Sequence, residues 1–133
     1  MIKKTVTYRD YDEHERTEDF YFNISKAELA DLELLTPGGF SSLVSKAYDA
    51  KDLPTLIRIF QQILKLSYGE KTADGRRFVK SDEVWNNFAQ TEAYSVLYME
   101  FATDADKAAA FINGILPKMD DNITPVPVSG STN

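Results

Sequence analysis

The chain has 133 residues, about the size of one domain, of which 43% are apolar and 27% charged. Its 21 acidic and 15 basic residues give a net charge of −6, which disfavours nucleic-acid binding, because neutralising phosphates requires a basic surface. The absence of cysteine excludes disulfides and thiolate chemistry and fits a reducing cytoplasm. No apolar run is long enough to span a membrane, and none follows Lys3 and Lys4 as in a signal peptide. We therefore expect no membrane partner and no export.

Two segments near the N-terminus alternate between apolar and polar residues, as half-buried strands do. Val6 and Tyr8 share one face of the first segment, and Phe20, Phe22 and Ile24 share one face of the second. The polar stretch 10–17 separates them, which predicts an antiparallel hairpin. Because an isolated hairpin is marginally stable, we expect it to lie on helices.

The strongest local signal is a helix start. Ser25 and Glu28 have the spacing of a capping box, in which the serine and the glutamate each bond the other residue's backbone N–H. The helix is predicted to run to about Leu35, because the Thr-Pro-Gly-Gly stretch 36–39 then interrupts it.

Apolar residues at helical spacing predict a second helix from Phe40 to Tyr48. Asp52 caps a third, strongly apolar helix that should stop near Gly69. The Asp-Gly dipeptide that ends at Gly75 then predicts a short hairpin or an ordered loop.

Three further helices are predicted after this loop. Ser81 caps the fourth, and the apolar run 94–102 indicates a fifth, largely buried helix. Thr103 and Asp106 resemble a weaker capping box that opens a last helix, which Gly114 ends.

These elements predict an α+β fold that is mostly α, with the N-terminal β-hairpin packed on a bundle of five or six helices. The single domain is expected to cover residues 1–117. Residues 118–133 lack apolar periodicity and are rich in Thr, Pro, Ser and Asn, so we expect a disordered C-terminal tail.

The first predicted turn contains the only histidine, His14, which we interpret as an exposed turn residue. Four acidic side chains surround it and suggest a calcium loop: Asp10, Asp12, Glu13 and Glu15. However, Glu15 and Tyr21 stand where an EF-hand loop needs glycine and glutamate, so a solvated acidic turn is favoured.

Two other groups of residues have ordinary interpretations. A basic patch could dock an anionic partner or RNA, but the net charge favours a charged loop; it comprises Lys71, Arg76, Arg77 and Lys80. Six aromatic residues at helical spacings favour a core over a base-stacking surface: Trp85, Phe88, Tyr94, Tyr98, Phe101 and Phe111. No phosphate loop, dinucleotide fingerprint or serine elbow is present. The sequence therefore predicts no catalytic, cofactor or metal site.

The third helix carries more apolar surface than one core contact requires. Ile59 and Leu66 lie beside its main apolar stripe and widen the apolar arc to about 200°. A helix buried on two sides within the domain would explain this width. The alternative is that Ile59 and Leu66 bind a partner helix or another copy of the chain.

As a whole, the chain resembles the tail assembly chaperones of long-tailed bacteriophages of Gram-positive hosts. The resemblance runs over residues 3–117 and is carried by segments 4–12, 15–23, 26–29, 36–39, 67–71, 74–78, 90–94, 102–104 and 111–114. One departure is that the family commonly has a glycine turn after Asp12, where this chain has Glu13 and His14. The geometry of the first turn is therefore left open.

The resemblance implies a non-enzymatic chaperone in the host cytoplasm that is absent from the mature virion. Its partner would be the tape measure protein, kept soluble until tail tube subunits polymerise around it. A ribosomal frameshift would add a longer form that recruits the tail tube protein. Codons for Leu116, Pro117 and Lys118 can contain a slippery heptamer, where the predicted domain ends.

Two alternatives remain beside the chaperone. A structural tail or connector component of the virion would share this composition but would be found in purified particles. An enzyme would need a polar pocket in which titratable groups converge.

Overall fold

The computed structural model describes residues 1–117. Four strands, β1 (Ile2–Arg9), β2 (Glu15–Phe22), β3 (Tyr68–Lys71) and β4 (Phe78–Val79), form one sheet in the order β1-β2-β3-β4. Six helices accompany it in these residues: α1 (Lys26–Leu35), α2 (Phe40–Asp49), α3 (Leu53–Ser67), α4 (Asp82–Ala89), α5 (Glu92–Ala102) and α6 (Ala105–Ile115). The predicted α+β fold, mostly α with an N-terminal hairpin on helices, is confirmed. The prediction for residues 118–133 lies outside the described residues.

The β1–β2 hairpin is antiparallel over eight residue pairs, from Ile2 opposite Phe22 to Arg9 opposite Glu15. Because side chains alternate along a strand, Val6 and Phe20 point to the helices, and the other face of the hairpin lies in solvent. Strand β2 begins at Glu15, so the turn covers residues 10–14 and is shorter than the predicted stretch 10–17. The strand ends at Phe22. Ile24 follows the strand but is still buried.

Side-chain caps start most of the helices, as the sequence predicts. The Ser25–Glu28 capping box is present, and the Asp52 and Ser81 side chains accept from backbone N–H groups of α3 and α4. The capping box predicted at Thr103 is wrong. Asp104 caps α6, with its carboxylate accepting from two N–H groups, and the Thr103 hydroxyl instead donates to the Met99 carbonyl at 2.8 Å.

Helix α3 stops at Ser67, two residues before the predicted end, because Tyr68 enters the sheet directly. The Asp-Gly loop proves to be the turn of a second hairpin, β3–β4, in which Gly75 has a φ of 75°. Gly114 does not end α6 but lies in its last turn.

The core is continuous and strongly aromatic. Under the sheet, Phe22 packs against Tyr68 and Phe88, whose rings stack at 4.5 Å. Between α3, α5 and α6, Phe60 packs against Phe101 and Phe111. The ring of Phe111 also lies 5.6 Å from that of Phe22, so the two groups form one core. Of the six aromatic residues predicted to build the core, Phe88, Phe101 and Phe111 are buried in it. The other three are half-buried and pack against its edge: Trp85, Tyr94 and Tyr98.

Candidate partner-binding surface

The structure separates the two side chains that the sequence selected on α3. Ile59 is 4% exposed and belongs to the hydrophobic core. Leu66 is half-buried; it packs on the edge of the core and leaves part of its side chain at the surface. In this structure the domain itself covers Ile59, as expected for a helix that is buried on two sides. Partner binding through Leu66 stays a prediction.

Leu66 lines a shallow surface depression on α3. The other lining residues are Gln61, Gln62 and Lys65, so the depression follows the solvent side of the helix for more than a turn. An adjoining depression is lined by α5 residues Tyr94, Ser95, Tyr98 and Met99 and again by Gln61. Because Gln61 borders both, the two depressions are neighbours, and we call the pair of them the α3–α5 groove.

Helix α5 carries exposed apolar side chains that sequence reasoning missed, and one of them, Met99, lines the groove. Met99 is 56% exposed and Val96 is 44% exposed, so α5 is not the largely buried helix that its composition predicts. The buried stripe of α5 consists of Ala93, Leu97 and Phe101, spaced four residues apart. Apolar residues surround most of α5, so its sequence does not show that Val96 and Met99 lie outside this stripe.

The groove is nearly uncharged, although the protein is acidic. Among residues 1–117, Lys65 is the only charged residue that lines either depression. Burial, followed by the neighbouring Tyr98, raises the pKa of Tyr94, so the Tyr94 hydroxyl is neutral in the physiological range. Methionine is flexible and polarisable and adapts to differently shaped partners. A nearly uncharged groove with aromatic and methionine walls suits the apolar stripe of a helix.

The acidic turn of the first hairpin is held in shape by its own hydrogen bonds. The Asp10 carboxylate accepts from the N–H groups of Asp12 and His14 and pairs with Arg16 at 2.6 Å. The Arg16 hydrogen bond, aided by the backbone donors, lowers the pKa of Asp10 to about 2. His14 is exposed, and residues 1–117 contain no group of acidic and histidine residues placed to hold a metal ion.

The residues of the basic patch lie in two different environments, one exposed to solvent and one within the domain. Arg76 and Arg77 are exposed in the β3–β4 turn. Lys80 instead turns inward, where its ammonium group donates to both carboxylate oxygens of Glu28 at 2.8 Å and to the Asn23 carbonyl at 2.7 Å. Lys80 thus joins the start of α1 to the strand-to-helix connection before α4.

Comparison with known families decides the assignment. A family model described as phage tail assembly chaperone matches residues 1–123. The chain belongs to the phage tail assembly chaperones. For this chaperone, neither curated proteins nor solved structures gave a match. Over residues 1–117, its helices are too short or too polar to cross a membrane. Family membership gives the protein a role in tail assembly and implies contact with tail proteins.

Proposed function

We propose that this chaperone binds the tape measure protein in the cytoplasm of a Gram-positive host and keeps it soluble until tail tube subunits polymerise. The chaperone then leaves and is absent from the virion. Family membership and the resemblance of residues 3–117 support this role. The observation that carries the proposal is the nearly uncharged α3–α5 groove, in which Leu66 lines the depression on α3 and Met99 lines the depression on α5.

The chemistry of the groove explains how a long helical protein would be kept soluble. A helix whose apolar stripe is not yet covered aggregates through that stripe. Tyr98 and Met99 offer apolar contacts without a buried charge, so different segments of such a stripe can bind in turn. The net charge of −6 on each bound chaperone then keeps the complexes apart in solution.

The test is co-expression of the chaperone with the tape measure protein, followed by measurement of the soluble tape measure. We expect Leu66→Lys with Met99→Lys to leave the chaperone folded, because both side chains already reach the surface. The soluble tape measure should fall at least fivefold, since the lysines would meet an apolar stripe. Leu35→Lys is the matched control, because Leu35 is 77% exposed and lies on α1, outside the groove.

Two outcomes would contradict the proposal. A folded double variant that still keeps the tape measure soluble would exclude the groove as the binding site. Detection of the protein in purified virions by mass spectrometry would favour a structural tail or connector component.

A longer form that recruits the tail tube protein is part of the same proposal. It would arise from a frameshift at the codons for Leu116, Pro117 and Lys118. The gene sequence tests this directly: a slippery heptamer should overlap these codons, with a second open reading frame behind it.

A further inference from the structure

The sheet opens between β2 and β3. Strand β1 pairs with β2 over eight residues, but β3 pairs with β2 only at Tyr21–Gly69 and Phe22–Tyr68. After Gly69, β3 leaves β2 and pairs with β4, with Glu70 opposite Val79. The part of β2 before Tyr21 therefore has an edge along which no strand of residues 1–117 runs.

The backbone groups along this edge form no hydrogen bonds with other strands of residues 1–117. The Asn23 N–H donates to the Ser67 carbonyl at 2.8 Å, which fixes the side of β2 that faces β3. Because backbone groups alternate between the two edges of a strand, those of Tyr21, Asp19 and Thr17 point to the same side as those of Asn23. Tyr21 pairs with Gly69, whereas the backbone groups of Asp19 and Thr17 have no partner on this side among residues 1–117.

A cleft of about 590 Å³ lies against this edge, and we call it the β2–β3 cleft. Phe20 and Tyr68 form its apolar floor. Its rim carries three carboxylates, those of Glu18, Asp19 and Glu70, against two ammonium groups, those of Lys71 and of the N-terminus at Met1. Burial, followed by the charges on Glu70 and Glu18, raises the pKa of Tyr68 to about 12. The cleft thus combines an apolar floor, a negative rim and free backbone hydrogen-bonding groups.

We propose that the β2–β3 cleft binds an extended segment of a partner protein, in which basic and apolar residues alternate, as an added strand on β2. The free backbone groups of Asp19 and Thr17 would bond the segment in the way that a strand is added to a sheet edge. Alternate side chains would then point to the apolar floor and to the carboxylates of the rim. This binding mode differs from that of the α3–α5 groove, which suits a helix, so each proposal can fail without the other.

The negative rim also argues against two other occupants. Glu18 already pairs with Arg16, and Asp19 already pairs with Lys3, so a basic segment would gain its main ion pair from Glu70. An acidic segment would instead be repelled by all three carboxylates. The chain's own residues 118–133 contain Asp120 and Asp121 against one base, Lys118, and therefore have the wrong charge for this rim.

The experiment is a titration of the full chain, labelled with 15N, with a nine-residue peptide of alternating lysine and valine. We expect saturable amide shifts at Thr17, Asp19 and Glu70 and little change on α3 or α5. A peptide of alternating glutamate and valine, and one with proline in place of the central valine, should not bind. The first has the wrong charge, and the second disrupts strand pairing.

Two variants with the same change of charge distinguish binding in the cleft from nonspecific attraction of a basic peptide to an acidic protein. Glu70→Lys should weaken binding of the lysine–valine peptide about fivefold or more, because it reverses one charge of the rim. Glu83→Lys, the same charge change at an exposed position on α4 outside the cleft, should change binding less than twofold.

Three results would overturn the proposal. The first is equal weakening by Glu70→Lys and Glu83→Lys. The second is a set of amide shifts that maps to the outer edge of β1 or to the α3–α5 groove. The third is a set of shifts at Asp19 that depends on protein concentration without peptide, which would mean that a second copy of the chain fills the cleft.

Discussion

At the scale of single residues, the first hairpin turn uses an unfavourable backbone conformation. Glu13 has a φ of 65°, in the left-handed region that glycine adopts easily and other residues rarely adopt. Hydrogen bonds hold it there: its N–H donates to the Asp10 carbonyl, and its own carbonyl accepts from Arg9 at 3.0 Å. The resemblance to a family with glycine in this turn is thus consistent with the geometry, although this chain has glutamate.

Glu13→Gly should therefore stabilise the protein by up to about 1 kcal/mol, because relief of the left-handed conformation outweighs the added freedom of the unfolded chain. Chemical denaturation would measure the change. His14→Gly serves as the control and should destabilise the protein, because His14 has no positive φ to relieve. A loss of stability with Glu13→Gly would contradict the reason given for this turn.

Glu28 is a second residue with more than one role. Its carboxylate completes the capping box by accepting from the Ser25 N–H, and it also accepts from Lys80. Partial burial alone would raise the pKa of Glu28, but the hydrogen bonds from Lys80 and Ser25 outweigh it and lower the pKa. A lowered pKa means that folding favours the ionised carboxylate.

Glu28→Gln should lower the free energy of unfolding by about 1 kcal/mol at pH 7. Because the folded pKa is depressed, this contribution is present above the ordinary carboxyl pKa of about 4.3 and is lost as the pH falls through the folded pKa. The difference between the two proteins should therefore shrink below about pH 4, which denaturation at several pH values would show. Asp31→Asn, on the exposed side of α1, should have little effect at any pH. A difference that is the same at pH 7 and pH 3 would contradict this role for the carboxylate.

At the scale of elements, the β3–β4 hairpin depends on two glycines for different reasons. At Gly69, a Cβ atom would lie 2.6 Å from the Phe78 ring and 2.8 Å from the Val79 carbonyl oxygen. At Gly75, there is open space, and only the positive φ favours glycine. The first glycine allows strand and ring to approach closely, and the second makes the turn.

Gly69→Ala should destabilise the protein by about 2 kcal/mol, because the ring and the backbone carbonyl must both move. Gly75→Ala should cost about 1 kcal/mol, and Gly75→Asn less, since asparagine tolerates the left-handed region. Thermal or chemical denaturation of the three variants gives the order. Equal effects at the two glycines would show that the hairpin adapts to a side chain at Gly69.

Two apolar side chains of helix α3, Ile59 and Leu66, also differ in how far the domain buries them. Ile59 and Leu66 are seven residues apart, yet only Ile59 is fully covered. We expect Ile59→Lys to unfold the domain or nearly do so, because it buries an unpaired charge. Leu66→Lys should remain folded, as circular dichroism would show. An Ile59→Lys protein with unchanged stability would mean that this side of α3 opens in solution.

At the scale of the whole molecule, helices and sheet are held by one core that α6 completes. Ile112 and Ile115 are buried, and Leu116 packs on the core as the last apolar residue before Pro117. The sequence after this point contains few bulky apolar residues. We therefore expect residues 118–133 to contribute little to this core.

Truncation after Pro117 should leave the melting temperature within about 2 °C of that of the full chain, since it keeps every core residue of the described part. Differential scanning calorimetry of both proteins would test this. A loss of more than about 5 °C would mean that residues 118–133 contribute to the folded domain.

Local patterns were enough to predict most elements and the composition of the core. The alternation around Val6 and Phe20 predicted the hairpin, and the side chains of Ser25, Asp52 and Ser81 predicted three helix starts. These features depend on neighbours within one helical turn or strand, so the sequence itself contains their physical cause. The one wrong prediction of a helix start, at α6, also has a local cause. Thr103 and Asp104 are both able to cap the helix, and the position where α5 ends decides that Asp104 does so.

The tertiary structure alone decided which apolar surfaces are covered. The helical period is the same for a partner-binding stripe and for a helix buried on two sides, so the sequence could not distinguish Ile59 from Leu66. It could not predict the exposed position of Met99, because burial on α5 depends on where α3 and α6 pack. The opening between β2 and β3 also depends on distant pairing: β3 turns away after Gly69 to meet β4. Sequence determined the elements because their causes are local; packing determined the candidate surfaces because their causes are not.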